Sequence, residues 1–167
     1  MRNPLSHSPA FRRRRFLNWF PMGLLYAFLY WSRYNLTVAK NSLIDVALPD
    51  GRHVELMTKE DFGLIFGAGT VVYAFAFLFN GPLTDRIGGK RALLIGAAGA
   101  LVANLLMGVL LMVALGSPDP TAFKLTTWFA VLYSLNMYFQ SYGAVAIVKV
   151  NAHWFHVRER GGFSGIF

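Results

Sequence analysis

The sequence predicts an all-α membrane protein, and three observations predict it. Hydrophobic residue types make up 55% of the 167 residues and charged types only 14%, whereas a soluble domain carries about 25% charged residues. The apolar residues arrive in long blocks, the pattern that lipid selects. The basic residues gather mainly at the ends of those blocks, and too little charge is left to cover a water-facing globule.

The elements follow in chain order. Residues 1–15 read as a basic tail containing Pro and Ser, expected on the cytoplasmic side and without a fold of its own. Phe16 to about Leu43 is the first span, with Arg33 and Lys40 inside it. Asp45 to Asp61 is a polar loop with a turn at Pro49-Asp50-Gly51. Phe62 to Asn80 is the second span, and Gly81 to Arg91 a short, charged, Gly-rich turn. Ala92 to Leu115 is a third span without charge, followed by a short loop to Lys124 that holds Pro118 and Pro120. Leu125 to about Val150 is the fourth span, and His153 to Gly162 a charged linker. Phe163 to Phe167 reads as a fifth span that stops after one turn. Four complete membrane helices and the start of a fifth are therefore expected. Residues 16–167 form part of a six-helix domain, and the functional unit is expected to be longer.

Charge sets the orientation. The ends assigned to one side hold ten basic residues: Arg2, Arg12, Arg13, Arg14, Arg15, Arg86, Lys90, Arg91, Arg158 and Arg160. The other side holds three, Arg52, Lys59 and Lys124. The positive-inside rule then places the N-terminus in the cytoplasm. The same placement makes the net charge of +8 a matter of membrane orientation, and no nucleic-acid partner is expected. Cysteine is absent, so no disulfide framework or thiolate metal site can form. His7, His53, His153 and His156 have no liganding spacing. His153, Trp154 and Phe155 read as interface anchors. No catalytic residues, metal or cofactor are expected, and the chain does not read as an enzyme.

Arg33 is the most informative residue. It falls roughly 20 Å along the first helix at 1.5 Å per residue, too deep to snorkel easily. At 100° per residue Tyr26, Tyr30, Thr37 and Lys40 share its face, while Leu24, Phe28, Trp31 and Val38 lie opposite. A guanidinium with phenol donors suits a carboxylate or phosphate. The alternative is an ion pair with an acid elsewhere, but the four spans contain no Asp or Glu. Lys40, near the outer edge, fits snorkelling equally well. On the second helix Thr70, Tyr73, Phe77, Asn80 and Thr84 recur at helical steps, and on the fourth Tyr133, Asn136 and Gln140 share a face. Either set lines a cavity or supplies interhelical hydrogen bonds. Gly96 and Gly99 read as close-packing contacts.

The stretch Gly81-Pro82-Leu83-Thr84-Asp85-Arg86-Ile87-Gly88-Gly89-Lys90-Arg91 is the second strong signal. Gly88 and Gly89 permit a tight turn. Asp85 suits a nearby Arg or a helix N-terminus.

On these residues the chain resembles the major facilitator superfamily, whose signature between the second and third helices matches Gly81 to Arg91. The resemblance covers Phe11 to Phe167, roughly the first third of a twelve-helix chain. Within the superfamily it is similar to the organophosphate:phosphate antiporters. Tyr26, Tyr30, Arg33 and Asn35 match that group's first helix and Tyr73 its second. Phe139-Gln140, Gly143, Lys149, His153-Trp154-Phe155 and Arg158-Glu159-Arg160-Gly161-Gly162 match its fourth helix and linker. Phe77 stands where glycerol-phosphate carriers have a cavity Lys, and Val145-Ala146 replaces a Pro-Pro pair. Arg33-Tyr34-Asn35-Leu36-Thr37-Val38-Ala39 also resembles a stretch of the anion:cation symporters for organic acids.

The resemblance implies a secondary transporter of a small organic anion in a plasma membrane, expected to be a bacterial inner membrane. The expected reaction is exchange of a phosphate ester or sugar phosphate for inorganic phosphate by alternating access. The alternatives are a proton- or sodium-coupled organic-acid symporter and a transporter-like membrane sensor. Arg33, Tyr26, Tyr30, Tyr73 and Gln140 are the expected substrate-binding residues. Gly81, Asp85, Arg86, Gly88 and Arg91 are the expected gating motif. The expected partners are a small anionic solute, the lipid bilayer and a C-terminal half of the same chain.

Overall fold

The computed structural model describes residues 7–48 and 51–166. Its elements are α1 (Pro9–Ile44), a two-stranded hairpin of β1 (Val46–Ala47) and β2 (His53–Val54), α2 (Lys59–Ile87), α3 (Gly89–Leu115), a 3-10 turn (Pro120–Phe123), α4 (Leu125–Trp154) and α5 (Val157–Ile166). Four long helices run alternately up and down, which two buried clusters make plain. One joins Leu36 and Leu43 of α1, Phe62 and Ile65 of α2, Met107 and Ala114 of α3, and Leu125 and Phe129 of α4. The other joins Met22 of α1, Ala92 and Leu93 of α3, and Tyr142, Ala146 and Ile147 of α4, with Ile87 of α2 packed against it. Each helix thus starts in one cluster and ends in the other.

α4 is the central helix, packed along both α2 and α3, with α1 laid against α4 and α3. Small residues permit this closeness, as is usual where lipid removes the hydrophobic drive between helices. A Cβ at Gly96 would sit 2.7 Å from the Phe139 carbonyl oxygen, and one at Gly89 would sit 2.8 Å from Val150 Cγ2. A Cβ at Gly99 would overlap the Phe139 ring. The close-packing role expected of Gly96 and Gly99 is the one they have. At Gly143 a Cβ would come 3.2 Å from Leu29 Cδ1, so this glycine brings α1 onto α4.

Several boundaries differ from the sequence reading. α1 begins at Pro9, so Arg12 to Arg15 are helical rather than part of a tail without structure. Ser8 caps the helix, with the Phe11 N–H donating to its Oγ at 3.2 Å, and Pro9 follows at the first helical position. That Ser-Pro pair is a start signal in its own right. The loop after α1 forms a hairpin, with Val46 paired to Val54 and Ala47 to His53. Of the expected turn there, Pro49 and Asp50 lie outside the described residues, and Gly51 has φ of 83°.

The largest difference is at Gly81. The expected eleven-residue turn is mostly helix, because α2 runs on through Gly81 and Pro82 to Ile87. Gly-Pro reads as a turn signal in water, but membrane helices tolerate it where neighbouring helices hold the segment. Here Asn80 and Thr84 are buried, and Asn80 Nδ2 donates to Ser141 Oγ of α4 at 2.7 Å. The turn itself is Gly88 alone, with φ of 88°, a conformation that suits glycine. α5 begins at Val157, six residues before the expected start at Phe163.

Candidate functional site

Between the two apolar clusters lies a polar layer centred on Arg33. Its guanidinium carbon sits 4.4 Å from the centroid of the Tyr30 ring and 4.4 Å from that of Tyr73. A planar cation between two aromatic faces is an arrangement that favours Arg over Lys. Its Nε donates to Oε1 of Gln140, which is only 1% exposed. Among the described residues Arg33 has no carboxylate partner, and its two Nη groups make no hydrogen bond. A half-buried cation without a counter-charge is what an anion site requires. The ion-pair alternative finds no acid among the described residues of this layer.

Four of the five expected substrate residues meet directly: Arg33, Tyr30, Tyr73 and Gln140. Tyr26 joins through Tyr30, its hydroxyl donating to the Tyr30 hydroxyl at 3.3 Å. Leu24, Phe28, Trp31 and Val38, expected opposite Arg33, are all exposed, Val38 to 78%, and on the Arg33 face Tyr30 and Thr37 are exposed as well. Lys40 lies with Nζ 5.8 Å from the Phe62 ring centroid, away from the layer. Tyr26 and Tyr30 also line an open groove of about 790 Å³ between α1 and α4, with Trp19, Ala27, Ile147 and Asn151.

The two polar stripes divide between the roles foreseen for them. Asn80 serves helix packing, through Ser141. Thr84 is wholly buried, and Thr70 turns back to the Phe66 carbonyl of its own helix at 2.8 Å. Tyr73 faces Arg33. On α4, Gln140 contacts Arg33, while Asn136 is wholly buried and accepts from Gln140 Nε2 at 2.6 Å. Ser32 also accepts from that Nε2, at 3.0 Å. Sequence reasoning passed over Ser32 because a lone serine beside an arginine carries no pattern.

A second polar cluster lies where α2 meets α3. Lys149 Nζ of α4 donates to Asp85 Oδ1 at 2.6 Å and to the Asp85 carbonyl at 2.9 Å. The expected partner of Asp85 was an Arg or a helix N-terminus. The lysine on α4 takes that place because Gly89 lets α3 and the α2 end close on Ala146 and Val150. Arg86 and Arg91 are exposed and make no ion pair among the described residues, and a Cβ at Gly81 would meet open space. Close by, Arg15 Nη1 donates to Glu159 Oε2 at 3.0 Å, and Arg15 stacks 4.9 Å over the Phe155 ring. Burial is the largest single influence on the Glu159 carboxyl and raises its pKa, but the Arg15 hydrogen bond and charge, with the His156 N–H and His7, together outweigh it and hold the carboxyl below its ordinary value. His153 Nδ1 lies 2.9 Å from the Lys149 carbonyl, one turn back on α4.

Comparison with known proteins agrees with this architecture. The family model of the Major Facilitator Superfamily matches residues 15–167. The chain belongs to the major facilitator superfamily. It is therefore a membrane protein of a secondary-transporter family rather than of an enzyme family. It is 25% identical over 134 residues to the membrane sensor protein UhpC of Salmonella typhimurium LT2, and equally to UhpC of Escherichia coli K12. Each alignment takes in 80% of this chain and 27% of the relative. The chain thus spans about a quarter of the length of the curated relatives it matches. No solved structure matches it significantly.

Within this superfamily member, α2 and α3 are by length and composition apolar enough to cross a membrane. The residues that lower the apolar character of α1 and α4 include Arg33, Asn136, Gln140 and Ser141, which build or adjoin the polar layer.

Proposed function

We propose that this chain is the N-terminal portion of a secondary transporter for a small organic anion, a phosphate ester or sugar phosphate exchanged for inorganic phosphate. The observation that carries the reading is Arg33, stacked between Tyr30 and Tyr73, held at Nε by Gln140, and without a carboxylate among the described residues. A fork of free N–H groups suits a phosphoryl oxygen pair. Alternating access needs a second half facing this layer, and the 27% coverage of the relatives supports a longer functional unit.

All four long helices cross the membrane in this reading. α1 has 36 residues and α4 has 30, enough for about 30 Å of hydrocarbon. The N-terminus lies in the cytoplasm of a bacterial cell, since Arg12, Arg13, Arg14, Lys90, Arg91 and Arg158 are exposed at one end of the bundle. A cysteine at Ser117 then reacts with an impermeant reagent in intact cells and one at Lys90 does not; the reverse pattern overturns the orientation. Asp85 and its neighbours act as a gating element at the cytoplasmic end.

The deciding experiment is counterflow in liposomes by the full-length protein. Phosphate esters are expected to drive uptake of labelled phosphate, and Arg33→Ala to abolish it. Uptake of carboxylates driven by a proton or sodium gradient, with no phosphate exchange, favours the symporter alternative. A sensor is the second reading, supported by the similarity to two membrane sensor proteins. It is favoured if the protein binds phosphate esters tightly yet exchanges them no faster than empty vesicles.

A further inference from the structure

The groups around Arg33 have distinct tasks. Gln140 offers one carbonyl and one NH2 group. Its carbonyl accepts from Arg33 Nε, while its NH2 donates to Ser32 Oγ at 3.0 Å and to Asn136 Oδ1 at 2.6 Å. Turned over, the amide would set N–H against N–H at the guanidinium. The network decides between the two orientations. Ser32 gives its own hydrogen to the Leu29 carbonyl at 2.7 Å, so towards Gln140 it can only accept. Asn136 is 0% exposed, and its Nδ2 has no partner among the described residues. An unsatisfied buried donor costs stability, which a leucine of similar shape would avoid. The useful part of Asn136 is therefore its Oδ1.

We propose that Ser32 and Asn136 are positioning residues for Arg33. They lock the Gln140 amide so that its carbonyl engages Nε and leaves both Nη groups uncommitted between Tyr30 and Tyr73. Neither residue touches the anion. The locked amide explains how a neutral side chain holds an arginine without neutralising it, which a carboxylate would do. The inference rests on the anion-site reading, since the lock matters for binding only if an anion uses those Nη groups.

The test uses the full-length protein and two readouts. The first is the dissociation constant for inorganic phosphate. The second is the rate at which phenylglyoxal modifies Arg33, followed by mass spectrometry, which needs no substrate. Ser32→Ala and Asn136→Leu are each expected to weaken phosphate binding about threefold to tenfold, the worth of one neutral hydrogen bond. Both should change the Arg33 modification rate. Ser32→Thr keeps an accepting hydroxyl and should match the wild type in both. In a Gln140→Ala background, Ser32→Ala and Asn136→Leu should have no further effect, because they act through Gln140. Equal loss in Ser32→Thr and Ser32→Ala, or full additivity with Gln140→Ala, would mean a packing role and overturn the proposal. A wild type that binds no phosphate would overturn the anion reading instead. The Arg33 modification rates then still decide whether the lock exists.

Discussion

Lys149 Nζ reaches both Asp85 Oδ1, at 2.6 Å, and the Asp85 carbonyl, at 2.9 Å, tying α4 to the last turn of α2. The lysine side chain is 25% exposed and the aspartate 74%. An exposed pair of this kind is worth about 0.2–1 kcal/mol, too little to matter for folding but enough to bias two conformations of similar energy. Asp85→Asn in the full-length protein is expected to slow exchange more than it weakens substrate binding. Lys149→Met should behave alike. Because Lys149 also holds a backbone carbonyl, the charge swap of both residues should restore only part of the rate. A loss confined to affinity, at an unchanged maximal rate, would count against a role in gating.

The contact of α3 with α4 supplies a stability prediction. At Gly96 the obstacle to a Cβ is the backbone carbonyl of Phe139, at 2.7 Å, which cannot swing away. At Gly99 it is the Phe139 side chain, which can. Gly96→Ala is therefore expected to destabilise the bundle by about 1–3 kcal/mol, and Gly99→Ala by less. Gly108→Ala meets open space and should be neutral or slightly stabilising. Thermal midpoints in one detergent check the order, and a Gly108 variant as damaging as Gly96→Ala would contradict it.

Much of this architecture was legible because membrane helices advertise themselves through length and apolar content. The Arg33 face of α1 was legible for a related reason: an arginine deep in an apolar stretch has few places to point. What stayed hidden was pairing between helices. Nothing local marks Lys149 as the partner of Asp85, since the two are separated by 64 positions in the chain and meet only through the packing of α2 and α3 on α4. Asn80 and Ser141 were hidden likewise. The start of α1 and the continuation of α2 through Gly81-Pro82 were misread for a different reason. There a local signal existed, but its meaning depended on surroundings, a cap at Ser8 and the anchoring of Asn80 on α4.

Glu159 links α5 to the start of α1. It accepts from Arg15 at 3.0 Å, and His7 Nε2 lies 3.3 Å from its other oxygen. The His156 N–H also approaches, at 3.4 Å. Its pKa is lowered on folding, so the stabilisation is present above the unfolded value and is lost as pH falls through the folded one. The α1–α5 contact should therefore hold at neutral pH and loosen in acid, below the ordinary carboxylate range. Glu159→Gln should remove that acid dependence. Hydrogen exchange of the α5 amides as a function of pH measures it, and an unchanged acid response in Glu159→Gln would refute the assignment.

Arg33 carries the strongest expectation. Arg33→Ala in the full-length protein should abolish anion transport while leaving insertion intact. Arg33→Lys should also fail largely although it keeps the charge, for two geometric reasons. A lysine presents a point donor rather than a fork, and it has no flat face to lie 4.4 Å from both Tyr30 and Tyr73. Losing a charge-assisted bidentate contact costs about 2–5 kcal/mol by analogy with buried interface pairs, roughly thirty- to several-thousand-fold in affinity. Gln140→Glu tests the same site from the other side. It leaves Arg33 in place but sets a carboxylate against its Nε, so the site carries no net charge and phosphate should bind far more weakly. If Arg33 were instead half of an ion pair with an acid elsewhere in a longer chain, removing both partners together would restore transport. A double variant that moves substrate normally would exclude direct anion binding by Arg33.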